Sequence, residues 1–199
     1  MVQIKTVLFD LGNVLAFIDF QEFWRTLGFV HPEEIAPFAG GYRSQTRRYE
    51  TGLISTRAYL SGLESVFNNR FTAEQLEQAF ASILREPVDG MAELATRVSH
   101  THRTALVSNT NEIHYRRSIK DYEVLGVLHQ HYLSYQLHVM KPDNRFYKQI
   151  IDGLNEHPSE MLFIDDIESN VEGARFAGMQ AIRFEGVEKL NVSLKELLG

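Results

Sequence analysis

The stretch Val7-Leu8-Phe9-Asp10-Leu11-Gly12-Asn13-Val14-Leu15 constrains this chain more than any other. An apolar run with no polar face has to be covered on both sides, which is the pattern of an inner strand of a parallel sheet. The run stops at a single carboxylate, a Gly-Asn pair turns the chain, and apolar residues resume at once. Asp10 is therefore expected at the carboxyl end of a buried strand, where open α/β sheets form their ligand crevices.

Four further runs, at residues 104–107, 131–134, 161–164 and 180–184, are short, apolar or β-branched, and lack helical periodicity. Helical patterns separate them. Pro142 stands where a first helical residue would be, followed by Phe146, Tyr147, Ile150, Ile151 and Leu154 at helical spacing. Val171, Ala174 and Ala177 form a second stripe, with Gly178 as its stop. This alternation predicts an α/β fold, a Rossmann-like parallel five-stranded sheet with helices on both faces. Residues 19–87 break the rhythm and read as helices only. Phe20, Phe23, Trp24 and Leu27 open one helix, Ser55 or Thr56 caps a second, and Thr72-Ala73-Glu74-Gln75 is a capping box for a third carrying Leu76, Phe80, Ile83 and Leu84. The expected organisation is a core of residues 1–18 and 88–199, with a helical insertion of residues 19–87.

Composition narrows the classes. The 199 residues carry a net charge of -6, so no basic face for nucleic acid is expected. An anionic ligand would need a local cation or backbone donors. The absence of cysteine excludes disulfides, thiolate catalysis and cysteine-based zinc sites. No membrane-spanning window and no leader peptide are read, so a cytoplasmic, soluble chain is expected.

Three more polar groups follow apolar runs, and each has a chemical and a structural reading. Asp10 is a nucleophile, a metal ligand or a turn residue. Ser108-Asn109-Thr110-Asn111 offers a hydroxyl, amides and backbone N–H groups to phosphate oxygens, or else caps a helix. Lys141 neutralises a phosphate and a carboxylate together, or is a solvated surface residue. Asp165-Asp166 ends a buried strand as two mutually repelling carboxylates, best tolerated beside a cation; oxygen ligands point to Mg²⁺, and the alternative is an Asx-turn with Asn170. Strand ends in an open sheet converge, so all four groups are expected at one crevice. The pairs His100/His102 and His129/His131 have no carboxylate pattern to complete a metal site and read as ordinary histidines.

These residues resemble the haloacid dehalogenase-like hydrolase superfamily, mostly Mg²⁺-dependent phosphatases. Asp10-Leu11-Gly12-Asn13-Val14 looks like its first motif, and Ser108, Lys141 and Asp165-Asp166 look like the second, third and fourth, in order. The insertion is placed like a helical type 1 cap, with wording similar chiefly around Tyr49-Glu50-Thr51-Gly52-Leu53-Ile54-Ser55. The motif wording is also similar to a bacterial subgroup that includes an α-D-glucose-1-phosphate phosphatase. The resemblance implies that Asp10 attacks a phosphoryl group and ligates Mg²⁺ with the Gly12 carbonyl and Asp166. Asp165 would be a further ligand or hold a metal-bound water, while Ser108, Asn109 and Lys141 clamp phosphate oxygens. The implied function is hydrolysis of a small-molecule phosphate ester, sugar phosphates favoured, through an aspartyl-phosphate. Haloacid dehalogenation and a weakly catalytic phosphate-binding or regulatory module are the alternatives. One departure stands out: the common motif has a second Asp, the general acid/base, where this chain has Gly12. Asp19 is the first candidate to replace it, and its alternative role is an N-cap.

Overall fold

Alternation of side chains along the inner strands decides how the layers stack. The computed structural model of the chain describes residues 3–198. Its elements are β1 (Thr6–Phe9), β2 (Ala16–Ile18), α1 (Gln21–Thr26), α2 (Pro32–Glu50), α3 (Thr56–Val66), α4 (Ala73–Ala81), β3 (Leu84–Pro87), α5 (Met91–Ser99), β4 (Arg103–Ser108), α6 (Glu112–Asp121), β5 (Gln130–Leu133), α7 (Ser134–Leu137), α8 (Asn144–Leu154), β6 (Met161–Asp165), α9 (Glu168–Phe176), β7 (Gln180–Arg183) and α10 (Val187–Leu198). The five strands expected from the sequence form one parallel sheet in the order β5-β4-β1-β6-β7.

Successive strand residues point to opposite faces. Val7 and Phe9 of β1, Leu106 of β4, and Leu162 and Ile164 of β6 pack on one side against Met91, Leu94, Ala95 and Val98 of α5 and Leu190 and Leu194 of α10. Leu8, Ala105, Val107 and Phe163 face the other way, onto Phe146, Tyr147 and Ile150 of α8 and Ala174 of α9. Each fully buried Leu or Phe contributes roughly 1.5–3 kcal/mol, so both faces hold the sheet. Phe9 pairs with Leu106 on one side and Ile164 on the other. The residues that follow, Asp10, Val107 and Asp165, are therefore level at the carboxyl edge, and the Asp10 N–H donates to the Ile164 carbonyl at 3.0 Å.

Helices α1–α4 build a second apolar cluster around Phe23, Trp24, Tyr42, Tyr59, Phe67 and Phe80. Phe23 stacks on Tyr42 with centroids 4.5 Å apart, and Tyr49 on Tyr59 at 4.4 Å. Ser55 caps α3 by accepting the Ala58 N–H, and Thr72 and Gln75 form the expected reciprocal box on α4. No helix among the described residues is long and apolar enough to cross a membrane.

Two expectations fail in detail. Residues 19–87 are not helices only: α4 ends at Ala81, and Leu84 begins β3, which pairs antiparallel with β2. Asp19 N–H donates to the Ile83 carbonyl at 2.9 Å and Val88 N–H to Leu15 at 3.0 Å, so this ribbon ties together the two chain crossings between the helical layer and the sheet. A strand whose only partner lies some 70 residues away leaves no trace in local periodicity. Pro142 is not the first helical residue either. Asp143 is the cap, accepting the Arg145 N–H, and α8 starts at Asn144.

Gly52 fixes how α2 meets the sheet layer. Its φ is +66°, and a Cβ there would lie 2.0 Å from the Tyr135 carbonyl oxygen. Gly52→Ala is expected to lower stability by about 1–3 kcal/mol through strain and overlap. Urea unfolding reads this, and an unchanged midpoint would show that the backbone contact is not needed.

Candidate active site

The sheet register brings Asp10 and Asp165 side by side, and a loop residue neutralises them. Lys141, between α7 and α8, places its Nζ 2.8 Å from Asp10 Oδ1 and 2.7 Å from Asp165 Oδ2. Its third donor goes to the Val107 carbonyl at 3.0 Å. All three ammonium hydrogens are thus engaged, and the side chain is buried. Asn109 holds this lysine by its backbone: Asn109 Oδ1 accepts the Lys141 N–H at 2.8 Å and Nδ2 donates to the Lys141 carbonyl at 3.0 Å. Burial works against the Lys141 ammonium, but Asp10 and Asp165 outweigh it and raise its pKa. Burial pushes the Asp10 carboxyl up, with Lys141 pulling against it and Asp165 adding to the rise.

Asp165 is fully buried and saturated. Oδ1 accepts the Ile167 N–H at 2.9 Å, Asn170 Nδ2 reaches both oxygens at 3.0 and 3.1 Å, and Oδ2 takes Lys141. Asp166 is less constrained. It accepts one side-chain hydrogen bond, from Asn13 Nδ2 at 3.1 Å, and burial raises its pKa. Asn13 adopts a left-handed φ of 54°, which Asn tolerates. Gly12 before it lies close under β2, where a Cβ would meet Ile18 Cδ1 at 3.0 Å. Asp10, Asp165 and Asp166 each offer an oxygen within 4.8 Å of the others. Three carboxyl groups converge on a single ammonium, and every donor is oxygen. That set suits a divalent hard cation.

Ser108 ends β4, and both it and Asn109 line the cavity beside Asp10 and Lys141. The Ser-Asn-Thr-Asn cluster divides its work: Asn111 caps α6 by accepting the His114 N–H at 3.0 Å, so the helix-capping reading applies to it and not to Ser108. Ser134 then links this loop to the helical layer. Its Oγ accepts the Thr110 N–H at 2.9 Å and donates to the Glu50 carbonyl at 2.7 Å.

The carboxyl edge and the helical layer form the two sides of a partly open cavity of about 550 Å³. Phe20, Trp24, Tyr42 and Phe80 supply its apolar wall, while Arg43, Arg47, Thr46 and Glu50 of α2 give it polar points. Glu50 was not separable by sequence from its neighbours in the insertion. Its place at the end of α2, in the half-buried turn Tyr49-Glu50-Thr51-Gly52 on the cavity wall, is what marks it. It is partly buried, no side chain among the described residues hydrogen-bonds its carboxylate, and burial pushes it up to about 7 against the weaker pull of Arg47. Asp19, the expected substitute for a second Asp, does not line the cavity. It is not the N-cap of α1, which is Phe20; it lies one residue earlier, its side chain accepts the Gln21 N–H at 2.9 Å, and that bond together with Arg25 lowers its pKa. His129 accepts the Thr104 N–H, and His131 bonds Tyr115 and the Leu125 carbonyl.

A family model described as a haloacid dehalogenase-like hydrolase matches residues 4–178. D-ribitol-5-phosphate phosphatase of Bacteroides thetaiotaomicron is 23% identical over 195 residues, covering 92% of both chains. A 49-residue stretch, 25% of this chain, is 41% identical to a part amounting to 9% of bifunctional epoxide hydrolase 2 of Rattus norvegicus. Among solved structures, a HAD family enzyme of Bacteroides thetaiotaomicron in complex with magnesium and inorganic phosphate has a TM-score of 0.80 at 24% identity, covering 92% of this chain and 95% of that one. L-2-haloacid dehalogenase of Xanthobacter autotrophicus has a TM-score of 0.65 at 18% identity, covering 98% and 83%. At these identities the structural likeness speaks for the fold.

Lys141→Met would leave two buried carboxyls without their cation. A loss of about 3–5 kcal/mol is expected. It should be smaller at pH 4, where the carboxyls take up protons, than at pH 8. Denaturant titration at both pH values checks it, and a loss below about 1 kcal/mol at pH 8 would contradict the pairing.

Proposed function

This chain belongs to the haloacid dehalogenase-like hydrolases, and from that premise we propose that it is a Mg²⁺-dependent phosphatase of a small phosphorylated metabolite, with sugar or sugar-alcohol phosphates favoured. The observation that carries the reading is Lys141 held between Asp10 and Asp165, with an Asp166 oxygen close enough to share a cation with theirs, in the cavity between the sheet edge and the helical layer. The cavity volume is that of a small-molecule site. The similarity to a phosphatase of D-ribitol 5-phosphate supports a polyol or sugar leaving group. An acidic, cysteine-free chain acting on such a metabolite fits a cytoplasmic setting.

Asp10, Asp166 and the Gly12 carbonyl are the groups that would hold Mg²⁺, and the charge and oxygen donors of the acidic trio fit it. When bound, the ion supplies compensation for phosphate charge beside the nucleophile. Asp165, its oxygens already occupied, fits a positioning role toward Lys141 better than direct ligation. Asp10 attacks phosphorus through a carboxylate oxygen, the ester P–O bond breaks, and water then cleaves the aspartyl-phosphate. Lys141 favours the ionised form of Asp10 and reaches the phosphoryl group only by giving up one of its present acceptors. The Ser108 hydroxyl and the Asn109 backbone N–H are the remaining phosphate donors on the floor. Residues 19–87 act as the cap over the core of residues 1–18 and 88–199, excluding bulk water around the leaving group. The acidic trio also favours this reading over dehalogenation, in which an Asp attacks carbon and no ion is needed.

Phosphate release from a panel of phosphate esters is expected to require Mg²⁺, to stop on chelation, and to fall at least about 10³-fold in Asp10→Asn. Mg²⁺ at 100 times its Kd should stabilise the wild type by about 2.7 kcal/mol, an effect absent in Asp166→Asn. Release that survives chelation or persists in Asp10→Asn would remove the proposed mechanism.

A further inference from the structure

We propose that Glu50 is the proton-transfer group for the ester oxygen, a role that rests on the phosphatase reading above. A sugar or polyol oxygen leaves as an alkoxide unless a proton meets it, so some group facing the cavity must carry one. Most titratable groups there are committed elsewhere. Asp10 is paired with Lys141, whose three hydrogens are all engaged, and Asp166 is held by Asn13 in the acidic trio. Burial drives the Tyr42 hydroxyl beyond reach of neutral chemistry. Both His114 ring nitrogens are bonded, Nε2 with the Phe80 carbonyl at 2.7 Å and Nδ1 with Asn111 at 3.1 Å. Arg43 and Arg47 offer hydrogen-bond donors and no acceptor atom that could take a proton. Gly12 has no side chain, and Asp19 lies outside the cavity.

Glu50 is free of such partners and is held in place by its backbone. Its carbonyl is bound to Ser134 Oγ, which also holds Thr110, two residues beyond Ser108, and the turn that follows is locked by Gly52 against Tyr135. The backbone of Glu50 is thus anchored from the helical layer next to the phosphate-facing loop, and the residue lines the same cavity as Asp10, Lys141 and Asp166. The charged and titratable groups that act on it are Arg47 and Tyr42 on its own helix and Tyr59 of α3, while Arg43 of α2, His114 of α6, and Asp10, Lys141 and Asp166 line the same cavity. With burial holding its pKa near 7, Glu50 has both forms available at neutral pH, as a group that gives and then takes a proton requires. In the first step an Asp10 oxygen bonds to phosphorus, the ester P–O bond breaks, and the departing oxygen takes the Glu50 proton. In the second, Glu50 carboxylate removes a proton from water as that water bonds to phosphorus. The Asp10–phosphorus bond breaks, leaving phosphate, Asp10 carboxylate and protonated Glu50.

The test compares wild type and Glu50→Gln with Mg²⁺ on two esters: p-nitrophenyl phosphate, whose phenolate leaves without a proton, and the alkyl phosphate of the panel that the wild type cleaves fastest. The kcat/KM values report the steps through aspartyl-phosphate formation. For the alkyl ester a fall of about 10²–10⁴-fold is expected, and for the aryl ester a change below about threefold. The thermal midpoint of the neutral, isosteric variant should be equal to or above that of the wild type. Equal losses on both esters, or none on the alkyl ester, would overturn the role of Glu50 while leaving the phosphatase reading intact. A wild type that releases phosphate from neither ester would overturn that reading, and this role with it.

Discussion

The Lys141 ammonium between Asp10 and Asp165 is the interaction on which the rest of the structure depends. A carboxylate at the end of a buried strand is costly to desolvate, and two on adjacent strands repel each other. One ammonium at 2.7–2.8 Å from both makes the arrangement tolerable. The lysine is itself held by the Asn109 side chain gripping its backbone at 2.8 and 3.0 Å, and by the Val107 carbonyl. Charge that this lysine does not balance is left on Asp166, the half-buried member of the trio, on the side that faces the cavity.

The helical layer is tied to this floor at a small number of points, and they coincide with the functional groups. Tyr49 accepts the Ile113 N–H at 3.1 Å, Ser134 joins Glu50 to Thr110, and the β2–β3 ribbon braces both chain crossings. The aromatic cluster around Phe23, Tyr42 and Phe80 gives the layer rigidity of its own, so a polar group at the end of α2 is presented to the cavity rather than left to wander. The arrangement is two separately packed apolar layers meeting over one charged cluster.

Much of this was legible in the sequence, for identifiable reasons. The inner strands carry no polar face, so their apolar runs and the Asp10, Ser108 and Asp165 that end them could be read directly. Parallel register then forces those ends together. Lys141 lies on a loop, and local pattern left it open between a neutralising cation at the crevice and a solvated surface residue; its burial between two carboxyls decides for the first. The ribbon formed by Leu84–Pro87 was missed because antiparallel pairing with Ala16–Ile18 is a non-local event, and the apolar Ile83 and Leu84 mimic a continuing helical stripe. Glu50 was hidden for a related reason. It sits among charged neighbours, and only the fold of the turn at Gly52 separates it from solvated surface. Asp19 illustrates the reverse: a suggestive carboxylate near the first motif whose side chain is taken up by the Gln21 N–H at the start of α1 and by Arg25.

The most direct test of the central claim is a crystal structure of the protein grown with Mg²⁺ and beryllium fluoride, a mimic of a transferred phosphoryl group. The account predicts trifluoroberyllate bonded to an Asp10 oxygen, within reach of Ser108, with the ion held by Asp10, Asp166 and the Gly12 carbonyl. A fluoride adduct bonded to another residue, or an ion seated away from Asp10 and Asp166, would contradict it.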